Sequence, residues 1–112
     1  MIKNKIVLVP FPFDDFSSTK VRPAICLTNS IGKYQHIIIA FISSKIPDKL
    51  LETDIILTKK DKDFESTGLT VDSVIRLHKL VTIPKNLISR ELGFVTTSLS
   101  GIITKKIQLL FT

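Results

Sequence analysis

Arg22 and the cluster Ser43-Ser44-Lys45 are the residues of this sequence best suited to chemistry on an anion. Of sixteen lysines and arginines only three are arginine, so a guanidinium placed directly before Pro23 stands out. A guanidinium binds two oxygens of a carboxylate or phosphate with a planar pair of N–H donors, which an ammonium cannot do. We therefore predict an anionic ligand at Arg22.

The elements around these residues predict that they meet. Apolar runs indicate strands at residues 22–28 and 36–43, and turn-forming residues at 29–34 separate them. In an antiparallel pair, the beginning of one strand and the end of the next lie at the same edge, so Arg22 and Ser43 would be neighbours. An ordinary surface arginine and a strand-ending serine are the alternative that position alone leaves open.

The remaining pattern predicts a mainly β domain with a C-terminal helix. Further strands are expected at residues 6–9, 54–58 and 74–81, and the last would place Ile75, Leu77 and Val81 on one side and Arg76 and His78 on the other. A partly open barrel would close so many short strands economically. The helix is expected to begin near Thr97 or Ser98, with an apolar stripe formed by Leu99, Ile102, Ile103, Ile107, Leu110 and Phe111.

Composition limits the possible classes of protein. The 112 residues, 44% apolar, predict a single domain over 1–112, and a longest apolar run of six residues is too short for a membrane span. A net charge of +6 favours polyanionic partners. Cys26 is the only cysteine and has apolar neighbours, which predicts a buried structural thiol and a reducing cytoplasm. Two distant histidines and scattered glycines predict neither a metal site nor a cofactor.

Four blocks of the sequence resemble the MazF/PemK toxin family in order and separation, over nearly the whole chain. They are residues 6–13, 20–24, 42–45 and 72–80. The resemblance implies an SH3-like, CcdB/MazF-like barrel, a homodimer, and the toxin of a type II toxin-antitoxin system. It also implies a metal-independent, sequence-specific endoribonuclease, neutralised by an acidic antitoxin. In that family, the arginine of the Arg-Pro step and the hydroxyl residue ending the third strand are the catalytic pair, here Arg22 and Ser43.

The chain departs from the family pattern at three places. Asn4-Lys5 stands where family members usually have Gly and an acidic residue, which affects the turn more than the chemistry. Ser43 replaces a more common threonine, so the hydroxyl is kept but the methyl that restricts its rotamer is lost. His78 stands where an acidic residue is common, which would alter RNA preference or the response to pH.

The resemblance also implies how RNA would be cleaved. The substrate 2′-hydroxyl attacks the adjacent phosphorus and leaves a cyclic phosphate and a 5′-hydroxyl. Arg22 would hold two phosphate oxygens and offset their charge in the transition state, and Ser43 would orient the phosphate. The proton carriers are unassigned by the sequence. His78 is a candidate, and the alternative for it is a strand histidine that faces solvent.

Further contacts to single-stranded RNA are expected from the loop over this edge and from neighbouring polar residues. Phe13 is the residue we expect to stack on a base, and Phe16 is its competitor. Hydrogen bonds to bases or phosphates are expected from Ser17, Thr19, Lys20, Ser44, Lys45 and His78.

Two other functions are compatible with the sequence. Similar barrels in a related toxin family poison DNA gyrase without cutting anything, so a non-catalytic gyrase inhibitor is the main alternative. A plain RNA-binding module is the other. The Arg22-Pro23 step with a strand-ending hydroxyl favours the ribonuclease, because a pure binder has no evident need for that pair.

Overall fold

The computed structural model describes residues 1–10 and 20–112, and six antiparallel strands in these ranges form one sheet. The sheet curls into a half-barrel with one C-terminal helix, as predicted. Its strand order is β4-β5-β3-β2-β1-β6. The elements are β1 (Lys5–Pro10), β2 (Val21–Cys26), β3 (His36–Ser43), β4 (Asp54–Leu57), β5 (Ser73–Pro84), β6 (Arg90–Phe94), α1 (Thr97–Leu110), and 3₁₀ turns at Glu65–Thr67 and Lys85–Leu87.

Strand β3 lies in the middle of the sheet, between β5 and β2. Its predicted bounds are confirmed, and the reason is its apolar character on both faces. Ala40 and Ile42 pack into the core cluster that α1 joins through Leu99 and Ile103. The alternate residues Ile37, Ile39 and Phe41 pack into a second cluster with residues of β1 and β2.

Strand β5 is longer than predicted, and strict alternation does not hold along its whole length. Ile75 and Leu77 belong to the cluster under α1, whereas Val81 packs against the other cluster. The prediction that these three residues share a side was wrong, because the register against β3 shifts between Ala40 and Ile42 and breaks the simple alternation. Arg76 lies between Ile75 and Leu77, which both belong to the cluster under α1, so it keeps the opposite side, as predicted.

The terminal helix is present, but its cap and stripe differ in detail from the prediction. Thr96 is the N-cap, and its side chain accepts a hydrogen bond from the Leu99 N–H. Of the expected stripe, Ile102 and Phe111 are exposed, by 44% and 74% respectively. No helix in the described part of the chain is long and apolar enough to cross a bilayer.

Strand β6 was not predicted, because Arg90–Phe94 has only two apolar residues, separated by a glycine, which is too short an alternation to indicate a strand. It pairs with β1 and lies against the 3₁₀ turn at Glu65–Thr67. A Cβ at Gly93 would collide with the backbone of Ser66 and Thr67, so glycine permits this close approach. Gly93 therefore weakens the sequence pattern of a strand, but the packing of β6 against the turn requires it.

Cys26 is fully buried in the second cluster, as predicted for a structural thiol. Burial, with a smaller contribution from the negative charge of Glu91, raises the pKa of the Cys26 thiol to about 11. The thiol is therefore protonated at neutral pH and is a poor nucleophile.

Candidate active site

Arg22 and Ser43 line one cavity of about 190 Å³ at the place where β2 and β3 separate. The register of the paired residues of these strands, continued by two residues, sets Arg22 opposite Ser43. Ser44 and Lys45, which follow β3, line the same cavity. The antiparallel hairpin thus brings the arginine to the Ser-Ser-Lys cluster.

The Ser43 hydroxyl takes part in a tight turn that ends β3. Its Oγ accepts a hydrogen bond from the Lys45 N–H at 3.0 Å. The hydroxyl also lies 3.4 Å from the Lys45 carbonyl oxygen, which is long for an O–H···O bond. The Ser43 oxygen already accepts one hydrogen bond, and the hydroxyl proton makes at most a long bond to the Lys45 carbonyl. Ser43 is therefore better prepared to donate a hydrogen bond to a ligand than to remove a proton.

Positive charge dominates the wall of this cavity. Arg22, Lys45, Arg76 and Lys79 contribute four cationic side chains, and no carboxylate is among the described residues that line it. The charges on Arg22, Lys45 and Lys79 have no acidic partner among the described residues, and a bound anion would offset their mutual repulsion. The cavity therefore suits a phosphate with two or more exposed oxygens.

Arg76 was not among the predicted site residues, although its side of β5 was predicted correctly. Its Nε donates to Asp54 Oδ1 at 2.8 Å, and the Asp54 side chain is 0% exposed. The signal in the sequence was an arginine between the apolar residues Ile75 and Leu77, but its partner lies 22 residues earlier, on β4. Nothing local in the sequence links the two.

His78 lies next to this pair and is not among the described residues that line the cavity. Its Nδ1 is 3.9 Å from Asp54 Oδ1, which is longer than a hydrogen bond. The side chain is 31% exposed. In the part of the chain that the structure describes, no group of three or more His, Cys, Asp or Glu side chains could hold a metal ion.

The remaining predicted contacts lie in or beside the segment before β2. Phe13, Ser17 and Thr19 lie outside the described residues. Lys20 directly precedes β2 and is exposed, and it is not among the described residues of the cavity wall. The RNA contacts expected from these four residues stay predictions.

A second cavity, of about 290 Å³, adjoins the first, and Arg22 and Ser44 line both. Its other walls are largely apolar and include Leu8, Pro23, Leu69, Val71 and Leu92. An anion held at Arg22 would therefore have an apolar surface directly beside it, which suits a flat and weakly polar group.

Comparison with known families identifies the chain. A family model described as PemK-like, MazF-like toxin of type II toxin-antitoxin system matches residues 3–111. The chain belongs to this family. The match to this MazF-like family spans all four blocks from which the resemblance was recognised, so the resemblance is confirmed. A comparison with curated protein sequences found no match.

The solved structures that share the fold of this MazF-like chain include three toxins or endoribonucleases. The Mycobacterium tuberculosis toxin MazF-mt6 is 20% identical, with a TM-score of 0.71 over 96% of this chain and 95% of that one. An endoribonuclease in complex with its cognate antitoxin, from a mycobacterial species, is 11% identical, with a TM-score of 0.71 over 99% and 94%. A mycobacterial endoribonuclease is 11% identical, with a TM-score of 0.70 over 99% and 90%.

Proposed function

We propose that this toxin is a metal-independent endoribonuclease that cleaves single-stranded RNA at specific sequences and so arrests growth. The observation that carries the proposal is the cavity in which Arg22 and Ser43 converge among further cationic side chains. Membership of the MazF-like family supports it, as do structural neighbours that are themselves endoribonucleases. We further propose that residues 1–112 act as one domain, in the cytoplasm.

Arg22 is proposed to bind the scissile phosphate with two N–H groups. The 2′-hydroxyl of the substrate attacks the phosphorus, the bond to the 5′-oxygen breaks, and the products are a 2′,3′-cyclic phosphate and a 5′-hydroxyl. Negative charge grows on the non-bridging oxygens during this step, and a guanidinium in the partly enclosed cavity stabilises it more than bulk water does. Lys45 and Lys79 add charge from the same wall.

Ser43 is proposed to orient the phosphate by donating its hydroxyl proton to an oxygen. Its present hydrogen bond from the Lys45 N–H leaves it in the donor role. The 2′-hydroxyl must lose a proton and the leaving 5′-oxygen must gain one. His78 is next to Arg76, which lines the cavity, but His78 itself is not among the described residues of the cavity wall. Its role as the carrier of one of these protons stays a prediction.

A base next to the scissile phosphate is proposed to occupy the adjoining apolar cavity, which shares Arg22 and Ser44 with the phosphate site. Phe13 is proposed to stack on another base, and Ser17, Thr19 and Lys20 to add polar contacts. These contacts would select the sequence that is cut.

The partners proposed are an acidic antitoxin and a second copy of the chain. One structural neighbour is an endoribonuclease bound to its cognate antitoxin, and a net charge of +6 on this chain suits an acidic partner. For the homodimer, the exposed apolar residues of α1, which include Ile102 and Leu109, offer a surface that association would bury.

The proposed function predicts RNA cleavage in excess EDTA. Purified protein is incubated with a labelled single-stranded transcript, and the ends of the fragments are mapped. We expect 5′-hydroxyl and cyclic phosphate ends at a recurring sequence, and resistance when the nucleotide before the cut carries a 2′-deoxyribose. Intact RNA would refute the ribonuclease, and gyrase-dependent DNA breaks in the same preparation would support the alternative of gyrase poisoning.

Ser43→Ala should lower kcat for RNA cleavage by roughly 10- to 100-fold, since a hydrogen bond to a charged group is worth about 1.5–3 kcal/mol. Ser43→Thr keeps the hydroxyl and should remain within a few-fold of the unchanged protein. Single-turnover cleavage of the mapped substrate measures both variants. Equal kcat for Ser43→Ala and the unchanged protein would remove Ser43 from the mechanism.

A further inference from the structure

Asp54 is a buried carboxylate directly behind the cationic cavity. It is the first residue of β4 and pairs across the sheet with Arg76 of β5. The Asp54 side chain is 0% exposed and the Arg76 side chain 18% exposed. A charge removed from water in this way destabilises the fold unless it is paired and hydrogen-bonded, so its contacts show what the carboxylate does.

Both oxygens of the Asp54 carboxylate have partners. Oδ2 accepts from the Leu51 N–H at 2.8 Å, and the Asp54 N–H in turn donates to the Leu51 carbonyl at 3.0 Å. Oδ1 accepts from Arg76 Nε at 2.8 Å. The turn thus fixes one oxygen, and the other oxygen is presented to the guanidinium in one orientation.

The contact through Nε determines what Arg76 can do. A guanidinium carries five N–H donors in a rigid plane, and one of the five is used by Asp54. Among the described residues, no hydrogen bond engages the two NH₂ groups of Arg76, and this side chain lines the cavity together with Arg22 and Lys79. The plane of the guanidinium is therefore held at one edge, while the NH₂ donors have no partner among the described residues and belong to a side chain that lines the cavity.

We propose that Asp54 is a positioning residue that holds the Arg76 guanidinium in place to bind the RNA backbone in the cavity. This inference rests on the proposed function, since RNA is the ligand. An arginine fixed before the ligand arrives loses less side-chain freedom on binding than a free one, and therefore binds more tightly. Arg22 is exposed and its side chain makes no hydrogen bond or ion pair among the described residues, so the two guanidinium groups differ in this respect.

Asp61 provides a matched control. Its carboxylate accepts from the Thr58 N–H at 2.7 Å, and its own N–H donates to the Thr58 carbonyl at 2.9 Å, so it closes the same kind of turn as Asp54. No arginine contacts it among the described residues, and it does not line the cavity. Asp61→Ala therefore removes comparable turn contacts without affecting Arg76.

The test is a double-mutant cycle on RNA binding. The probe is a fluorescent single strand with 2′-fluoro riboses, which lacks the attacking hydroxyl. Its affinity is measured for the unchanged protein, Asp54→Ala, Arg76→Ala, the double variant and Asp61→Ala. We expect Asp54→Ala to weaken binding about tenfold, a size typical of coupled contacts, and to have no further effect once Arg76 is absent. Asp61→Ala should bind as the unchanged protein does.

Two further measurements keep the result interpretable. Asp54→Ala should still weaken binding about tenfold in a Lys79→Ala background, because Lys79 lines the cavity without contacting Asp54. Arg76→Ala leaves a buried unpaired charge and can fail to fold, so the Nε–H resonance of Arg76 is also followed by NMR. We expect slow exchange with water in the unchanged protein and fast exchange in Asp54→Ala.

The outcomes separate this inference from the proposed function. An equal effect of Asp54→Ala with and without Arg76, or an unchanged Nε–H exchange rate, overturns the positioning role even when RNA is cleaved. Coupled binding without any RNA cleavage supports the positioning role and refutes the ribonuclease. Absence of binding by the unchanged protein overturns both.

Discussion

Arg22→Ala should lower kcat/KM for RNA cleavage by about 10³-fold, which is the range found when a preorganised donor to a transition-state oxyanion or phosphoryl group is removed. The expectation rests on the position of Arg22 in the cavity opposite Ser43. Arg22→Lys should recover little of this activity, because an ammonium keeps the charge but cannot form two parallel N–H bonds to one phosphate. Initial rates on the mapped RNA substrate measure both variants.

Arg90→Ala is the matched control for this experiment. Arg90 is an exposed arginine on β6, and it is not among the described residues of either cavity at the candidate site. Its replacement removes the same charge from the protein and should leave the rate of cleavage almost unchanged, because Arg90 lines neither cavity. If the two alanine variants lose activity equally, general charge rather than a bound phosphate explains the effect of Arg22.

Arg76→Ala should lower the free energy of unfolding by about 3 kcal/mol, since it leaves the Asp54 carboxylate buried without its charged partner. Removal of one partner of a buried ion pair typically costs about 3–5 kcal/mol of folding stability. We expect the lower value here, because the Arg76 side chain is 18% exposed and water can enter the space it leaves. For a domain of this size, the loss corresponds to a fall in Tm of roughly 12 °C. Urea titration followed by circular dichroism measures the free energy of unfolding, and a thermal melt measures Tm.

The double variant Asp54→Ala/Arg76→Ala tests the cause of that destabilisation. It removes both charges, so we expect it to regain roughly half of the lost stability despite the loss of the Leu51 turn contact. Arg90→Ala again serves as the exposed comparator and should stay within about 0.5 kcal/mol of the unchanged protein. A double variant less stable than Arg76→Ala would show that the charge of Asp54 is not the source of the effect.

The two arginines of the site differ in how far the sequence predicted them. The position of Arg22 beside Ser43 depends on one hairpin between adjacent strands, and the apolar runs and the turn residues between them indicate its register within the chain itself. The position of Arg76 against Asp54 depends on the pairing of β4 with β5, and the charged segment between those strands carries no comparable register signal. Sequence reasoning could therefore place Arg76 on a face but could not find its partner.

The sequence by itself determined the mainly β fold, the bounds of β3, the terminal helix and the proximity of the Arg-Pro step to the Ser-Ser-Lys cluster. Each follows from local periodicity or from contacts between neighbouring strands. Only the tertiary structure decided the pairing of β6 with β1, the change of faces along β5 and the buried Asp54 behind Arg76. These features depend on register shifts and close approaches between distant segments, where a single glycine or bulge outweighs the alternation of apolar residues.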